Sequence, residues 1–147
     1  MTTRADESGV RTGWSHFTHG ADIGVCGSGE TPAEAFEYAA LALTAIVTDA
    51  EVLQRTRVEV ACAGPDLELL LVDWLDAIIY EMAVRGMLFG RFSVRIEGVG
   101  LRGELWGEAV DVARHAPACE PKGATLTELK VTRDSDGVWT ARCVVDV

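Results

Sequence analysis

The stretch Asp66–Gly86, DLELLLVDWLDAIIYEMAVRG, predicts the longest helix of the chain and gives the fold its centre. Asp66 follows a Gly-Pro pair and is suited to cap a helix start, while Gly86 is suited to end the helix. Apolar residues recur at spacings of three and four, which is typical of an amphipathic helix with a wide buried face. These apolar positions are Leu67, Leu70, Leu71, Trp74, Leu75, Ile78 and Met82.

A second helix is predicted upstream, beginning at Thr31-Pro32-Ala33-Glu34 and ending near Thr48-Asp49. Threonine at the cap position, proline at the first helical position and glutamate three residues after the cap form a helix-start signature. Six or so segments around the two helices alternate apolar and polar residues and predict strands, mostly in hairpins. The predicted strands are Trp14–Cys26 (interrupted at Gly20), Gln54–Ala63, the segment around Phe92–Ile96, Gly100–Leu105, Thr125–Arg133 and Val138–Val147.

This order of elements predicts an α+β fold in which two helices cover one face of a largely antiparallel sheet. Residues 1–13 are polar and aperiodic, which predicts a mobile tail, and residues 14–147 are expected to form a single domain. The start of the chain lacks an apolar signal segment, and no apolar run reaches the length of a membrane span. We therefore expect a cytoplasmic protein without a membrane partner.

The chain has 13 basic and 23 acidic residues, for a net charge of −10. Such a surface repels phosphate backbones, and no run of Lys and Arg offsets it, so strong direct nucleic-acid binding is not expected. A cation or a basic protein partner is easier to accommodate. Four widely separated cysteines, without a C-x-x-C pair, also argue against a zinc knuckle.

Two aspartates lie inside apolar strand-like segments at opposite ends of the chain, Asp22 in FTHGADIGV and Asp146 in VVDV. A carboxylate in such a segment is costly unless it is paired. If the first and last strands are neighbours, the two acids would meet beside the terminal carboxylate of Val147, and a hard cation such as Ca²⁺ or Mg²⁺ would relieve their repulsion. The alternatives are a turn or cap for Asp22 and a frayed, solvated terminus for Asp146.

His16, His19 and Asp22 form an H-x-x-H-x-x-D string. On a helix these residues would share a face and could hold a metal ion. On a strand, residues three apart point to opposite faces, so the two histidines are not expected to share one metal ion.

Several motifs, in the same order along the chain, resemble the archease family, the protein cofactor of the GTP-dependent RNA ligase of tRNA splicing. The family signature His-Thr-Ala-Asp-hydrophobic-Gly is similar to His19–Gly24, and its Leu-Glu-Glu-Ala-Phe helix start resembles Pro32–Phe36. The remaining similar segments are Leu70–Val94, His115–Thr125 and the closing Asp146-Val147. The resemblance runs from about Trp14 to the last residue.

The resemblance implies a strand-helix-strand-strand fold with an insertion, and a divalent cation (Ca²⁺ or Mg²⁺) held by Asp22, Asp146 and Val147. It also implies roles for Glu34 and Lys122 in promoting guanylation of a partner RNA ligase, rather than an enzyme acting alone. From the residues alone, Glu34 completes a capping box with Thr31, and Lys122 is a solvated loop lysine. The chain departs from the family pattern at Gly20, where the family has Thr, and at Leu126 and Thr127, where it has Tyr and His.

Two other functions stay open at this point. A metal-dependent hydrolase would use Asp22, Asp146 and a histidine, and would need an open metal position and a deep pocket. A metal-stabilised structural adaptor would need only the fold.

Overall fold

The structure, a computed structural model, describes residues 2–5 and 11–147 and contains antiparallel strands and three helices in this part of the chain. The helices are α1 (Pro32–Val47), α2 (Leu67–Arg85) and α3 (Val112–His115). The strands are β1 (Thr2–Ala5), β2 (Arg11–His19), β3 (Asp22–Gly29), β4 (Thr56–Ala63), β5 (Met87–Glu97), β6 (Gly100–Ala109), β7 (Gly123–Ala124), β8 (Lys130–Arg133) and β9 (Trp139–Asp146).

The strands form two antiparallel sheets. The larger sheet has the order β1-β2-β3-β9-β7, with β8 also pairing with β9, and the smaller sheet has the order β4-β6-β5. The predicted α+β class is confirmed, but the single predicted sheet is divided into two. Alternation of apolar and polar residues identifies strands, whereas the choice of pairing partner depends on contacts between distant segments.

Helix α1 packs against both sheets, through β3 on one side and β5 on the other. Its predicted start is confirmed, because the Thr31 hydroxyl accepts a hydrogen bond from the Glu34 amide over 3.1 Å. The close approach to β3 depends on Gly27, where an added Cβ would lie 2.1 Å from the Ala35 carbonyl oxygen. This contact fixes the position of β3, the strand that begins at Asp22.

Helix α2 is capped by Asp66, whose side chain accepts from the Leu69 amide over 2.8 Å, and it ends at Gly86 with a φ of 61°. Trp74 is fully buried and donates its indole N–H to the Phe36 carbonyl over 3.0 Å. The Trp74 ring fills the space left by Gly103 of the smaller sheet, where a Cβ would lie 2.2 Å from the ring. Through these contacts, α1, α2 and the smaller sheet pack into one core.

One predicted strand and one unpredicted helix differ from the structure. The predicted strand Thr125–Arg133 is wrong in part: β7 ends at Ala124, and strand resumes only at β8 (Lys130–Arg133) because Glu128 adopts a φ of 57°. That left-handed conformation interrupts extended backbone. The short helix α3 is an additional element that a four-residue segment is too short to predict by periodicity.

The predicted tail, residues 1–13, falls partly outside the described residues, at residues 1 and 6–10. In the described part, β1 pairs with β2 and β2 begins at Arg11, three residues before the predicted boundary at Trp14. Strand pairing uses main-chain groups, so this polar segment pairs without the apolar alternation that the prediction required. The mobility of the tail stays a prediction.

Candidate functional site

Strands β3 and β9, near opposite ends of the chain, are neighbours in the larger sheet, as the prediction of a shared site requires. Their register pairs Ile23 with Val145, so Asp22 and Asp146 fall opposite one another one position further along. Cβ atoms of such cross-strand pairs lie about 4.5–5.5 Å apart. Val145 is fully buried in the core, so the two aspartates point to the opposite face of the sheet.

The end of β9 is held on both sides. β3 pairs with it on one edge, and on the other edge Gly123 of β7 pairs with Asp146. The side chain of Val147 is half-buried and packs against the core. The terminal strand is therefore paired and not frayed. The terminal carboxylate belongs to Val147, whose side chain is held by this packing.

Lys122 lies beside this strand end. Its backbone N–H donates a hydrogen bond to the Asp146 carbonyl oxygen over 2.8 Å, and its side chain is exposed in a loop, as predicted. The loop is also tied to α2, because the Asp76 carboxylate accepts from the Ala124 amide over 2.8 Å. The fold thus brings Asp22, Asp146, Val147 and Lys122 to one edge of the larger sheet.

The donor chemistry of this edge fits a hard divalent cation. Two aspartates and a terminal carboxylate offer only oxygen ligands, which Ca²⁺ and Mg²⁺ prefer. Within residues 2–5 and 11–147, no group of three or more His, Cys, Asp or Glu side chains is arranged to hold a metal ion. The third donor would have to be the main-chain carboxylate of Val147, so the cation site stays a prediction.

The two histidines lie apart, in agreement with the strand geometry. The His16 Nε2–H donates to the Ala42 carbonyl of α1 over 2.7 Å, on the buried side of β2. His19 is exposed and lies opposite Asp22 in the β2–β3 register. The hairpin turn between His19 and Asp22 contains Gly20 with a φ of 60°, a conformation that favours glycine over the threonine of the family pattern.

Glu34 is not brought to this edge. Its carboxylate accepts from the Glu30 amide over 3.0 Å, and it packs over Gly29, at the opposite end of β3 from Asp22. Seven residues of extended strand span about 23 Å, so Glu34 and the aspartates do not share one site. The Thr31 half of the predicted capping box is present, but the Glu34 carboxylate accepts from the amide of Glu30, one residue before the cap, and not from that of Thr31. The functional role of Glu34 stays a prediction.

The other two departures from the family pattern lie in the loop between β7 and β8. Leu126 is 67% exposed, and Thr127 is exposed and contributes its carbonyl oxygen to the Val144 amide.

Sequence analysis missed a buried polar network that supports the Lys122 loop from its other end. Glu108 is buried and accepts from the Leu53 amide over 2.7 Å, from the Arg114 guanidinium, and from His115 Nε2 over 3.1 Å. His115 Nδ1 accepts from the Asp111 amide over 2.8 Å, which places the ring proton on Nε2. The only signal in the sequence was an acid within the apolar strand β6.

This network has an electrostatic consequence. The hydrogen bond from Arg114, together with the Leu53 amide, lowers the pKa of Glu108 to about 2. The carboxylate therefore stays charged at any ordinary pH. It holds the segment that follows β6 against the loop after α1. The segment that follows β6 is the one that continues to Lys122.

In the part of the chain that the structure describes, no helix has the length and apolarity to cross a membrane. The fold and the site together define a class of small α+β proteins in which the first long hairpin pairs with the terminal strand and gathers acids at one sheet edge. Comparison with known proteins places the chain within this class.

Residues 14–147 match the model of the Archease protein family, and the chain belongs to that family. It is 37% identical over 139 residues to a protein archease of Pyrococcus furiosus, covering 91% of this chain and 98% of that protein. A protein archease of Sulfolobus acidocaldarius is 34% identical over 139 residues, with coverage of 92% and 99%.

Solved structures agree with the fold. The solution structure of a Methanobacterium thermoautotrophicum protein superposes with a TM-score of 0.74 at 32% identity, covering 92% of this chain and 99% of that one. The crystal structure of a Thermotoga maritima archease, described as a possible chaperone, superposes with a TM-score of 0.58 at 21% identity, with coverage of 89% and 94%. The second likeness concerns the fold alone.

Proposed function

We propose that this chain activates a GTP-dependent RNA ligase of tRNA splicing or RNA repair by promoting guanylation of the ligase. The observation that carries the proposal is the convergence of Asp22, Asp146, the Val147 carboxylate and Lys122 at one sheet edge. The motif resemblance implies a cation site for Asp22, Asp146 and Val147 and a role in activation for Lys122, and it implies a role in activation for Glu34 as well.

The carboxylates and the lysine have different parts at this edge. Asp22, Asp146 and the Val147 carboxylate would hold a divalent cation, Ca²⁺ or Mg²⁺, which supplies positive charge for phosphate oxygens when bound. Lys122 adds a compact, mobile positive charge suited to a phosphate or to a carboxylate of the ligase. Its main chain is fixed to Asp146, so the lysine and the acids approach a partner together.

Glu34 requires a separate contact. Because it lies about 23 Å from the aspartates along β3, a role in activation means that the ligase touches both ends of that strand. The net charge of −10 suits such a partner, since a ligase that binds RNA presents a basic surface.

The test is a guanylation assay with a purified GTP-dependent RNA ligase, labelled GTP and divalent cation, with and without this chain. We expect the chain to raise the initial rate of ligase–guanylate formation, and to be retained by the immobilised ligase. The matched control is the Asp136→Asn variant, which removes one acid from an exposed turn remote from the edge. An unchanged guanylation rate with the parent chain would reject the proposal.

A second candidate, metal-dependent hydrolysis, is favoured by one observation. His19 of β2, Asp22 of β3 and Asp146 of β9 lie side by side across three neighbouring strands. An acid pair with a nearby imidazole is a frequent arrangement for metal-assisted hydrolysis. Turnover of a phosphoester by the purified chain, abolished in Asp22→Asn, would support this candidate. Stimulation that requires a ligase would support activation instead.

A further inference from the structure

The smaller sheet has one face turned away from the core, and arginines gather on it. On the inner face, Val58, Leu105 and Phe92 form a cross-strand row that packs into the core. Residues one position along point outward. The outward rows include Arg57–Trp106–Arg91 and Ala61–Arg102–Arg95 across β4, β6 and β5.

Two of these four arginines already have partners on the face. Arg57 forms ion pairs with Glu104 and Glu59. The Arg91 guanidinium lies 4.4 Å from the centroid of the Trp106 ring, in a cation–π contact. The result is a platform in which a flat cation is stacked on an aromatic ring.

Arg95 and Arg102 are different. They are exposed and lie directly opposite one another in the β5–β6 register, and their side chains make no hydrogen bond or ion pair with any described residue. Like charges directly opposite on neighbouring strands destabilise a sheet. Two unpaired guanidinium groups held side by side are therefore suited to an anion supplied from outside.

The local surface also offers room for a ligand. Because Ala61 is small, this face carries depressions of about 260 and 670 Å³, and Ala61, Arg95 and Arg102 line both. The acids on the face are Glu59, Glu97 and Glu104, so the four arginines give it a net charge of +1. In a protein with a net charge of −10, this face therefore carries a local excess of positive charge.

We propose that this face binds the backbone of single-stranded RNA. Arg95 and Arg102 clamp a phosphate, since guanidinium forks match phosphate oxygens, and the Arg91–Trp106 stack receives a base. Arg91 and Arg95 are four positions apart in β5, about 13 Å along the strand, so one short segment of extended RNA reaches both. The choice of RNA rests on the proposed function, because the ligase acts on RNA ends.

The same reasoning predicts weak, salt-sensitive binding. Counterion release at the arginine–phosphate contact favours binding at low ionic strength, whereas the remote acids oppose the approach of a polyanion. Binding is therefore expected to be weak and to gain from a ligase that also holds the RNA. For the one phosphate that Arg95 and Arg102 clamp, the logarithm of the binding constant should fall with the logarithm of salt concentration with a slope of about −0.7. This contact is compatible with the expectation that strong direct nucleic-acid binding is absent.

The experiment measures fluorescence anisotropy of a labelled ten-nucleotide oligouridylate titrated with the full chain at low salt. The test variant is Arg95→Gln/Arg102→Gln, and the matched control is Arg85→Gln/Arg133→Gln, which removes two exposed charges elsewhere. We expect the test variant to bind at least about tenfold more weakly and the control to lose much less. The melting temperature of the test variant should stay equal or rise, because repulsion between the two arginines is removed.

Equal losses in the test and control variants would overturn the proposal, as would a test variant that binds like the parent. Equally tight binding of a ten-residue polyglutamate peptide would overturn the assignment to a phosphodiester. The guanylation assay needs no RNA, so the two proposals fail separately: a chain that stimulates guanylation but binds no oligonucleotide rejects only this inference.

Discussion

The backbone N–H of Lys122 donates a hydrogen bond to the carbonyl oxygen of Asp146 over 2.8 Å, and this bond joins the Lys122 loop to the terminal strand. The strand end it reaches is the one at which Asp22 lies beside Asp146. A positive charge and a set of carboxylates therefore occupy one sheet edge, although they come from three separate segments. The predictions below test this edge and the network that supports it.

Removing Asp146 and Val147 should abolish binding of Ca²⁺ or Mg²⁺ in isothermal titration calorimetry, because two of the three predicted carboxylates are lost. Asp22→Asn should weaken binding strongly by removing the third. The Asp136→Asn variant, changed in an exposed turn, is the control and should bind like the parent. Metal binding that survives the truncation would remove the case for this site.

Lys122→Ala should leave folding intact, because the side chain is exposed and the hydrogen bond to Asp146 comes from its main chain. We expect a melting temperature within a few degrees of the parent. Stimulation of ligase guanylation should fall at least about tenfold, which corresponds to about 1.4 kcal/mol of activation free energy. Lys130→Ala removes an exposed lysine from β8 and serves as the control. Unfolding of the Lys122 variant would show that the lysine is structural.

Glu34→Gln separates capping from function. Glutamine retains an acceptor for the Glu30 amide, so the thermal stability should change little. Thr31→Ala removes the hydroxyl that caps α1 and should cost about 1 kcal/mol of unfolding free energy. If Glu34 acts on the ligase through its charge, Glu34→Gln should fold normally and fail to stimulate guanylation. Thr31→Ala, in contrast, should lose stability and keep its stimulation. Full stimulation by that variant would leave Glu34 with capping alone.

Glu108 should make a visible contribution to acid stability. Its pKa is lowered to about 2, from 4.5 for a free glutamate, by Arg114 and the Leu53 amide. A depressed folded-state pKa stabilises the protein above the unfolded value, and this stabilisation is lost as the pH falls from about 4.5 towards 2. Glu108→Gln should therefore be less stable than the parent at pH 7, and the two should converge at low pH in thermal melts. Parallel curves over that interval would show that the carboxylate does not hold the network.

Local signals predicted much of the architecture. The Asp66 cap, the apolar stripe through Trp74 and the stop at Gly86 all correspond to α2, because helix starts, faces and ends depend on neighbouring residues. The pairing of the first and last segments was only a condition under which Asp22 and Asp146 would meet, and the structure meets it through β3 and β9. The cost of an unpaired aspartate in an apolar strand drew attention to both residues.

What the sequence did not reveal are arrangements made between distant strands. The Glu108 network joins residues from the loop after α1, β6 and α3, and no local pattern marks such a cluster. Arg95 and Arg102 lie in two consecutive predicted strands, so their pairing could have been inferred from the sequence. A search for consecutive basic residues overlooks them, because strands bring together side chains that are separated in sequence.

The most direct measurement of the central claim is the initial rate of guanylation of a GTP-dependent RNA ligase, with parent chain and with the Asp22→Asn/Asp146→Asn variant, at saturating GTP and divalent cation. The proposed role predicts a clear increase with the parent chain and a return to the rate of the ligase alone with the variant, at unchanged folding of the variant. Equal stimulation by the two chains would contradict a function for the Asp22–Asp146 edge, and no stimulation by either would contradict the activator role itself.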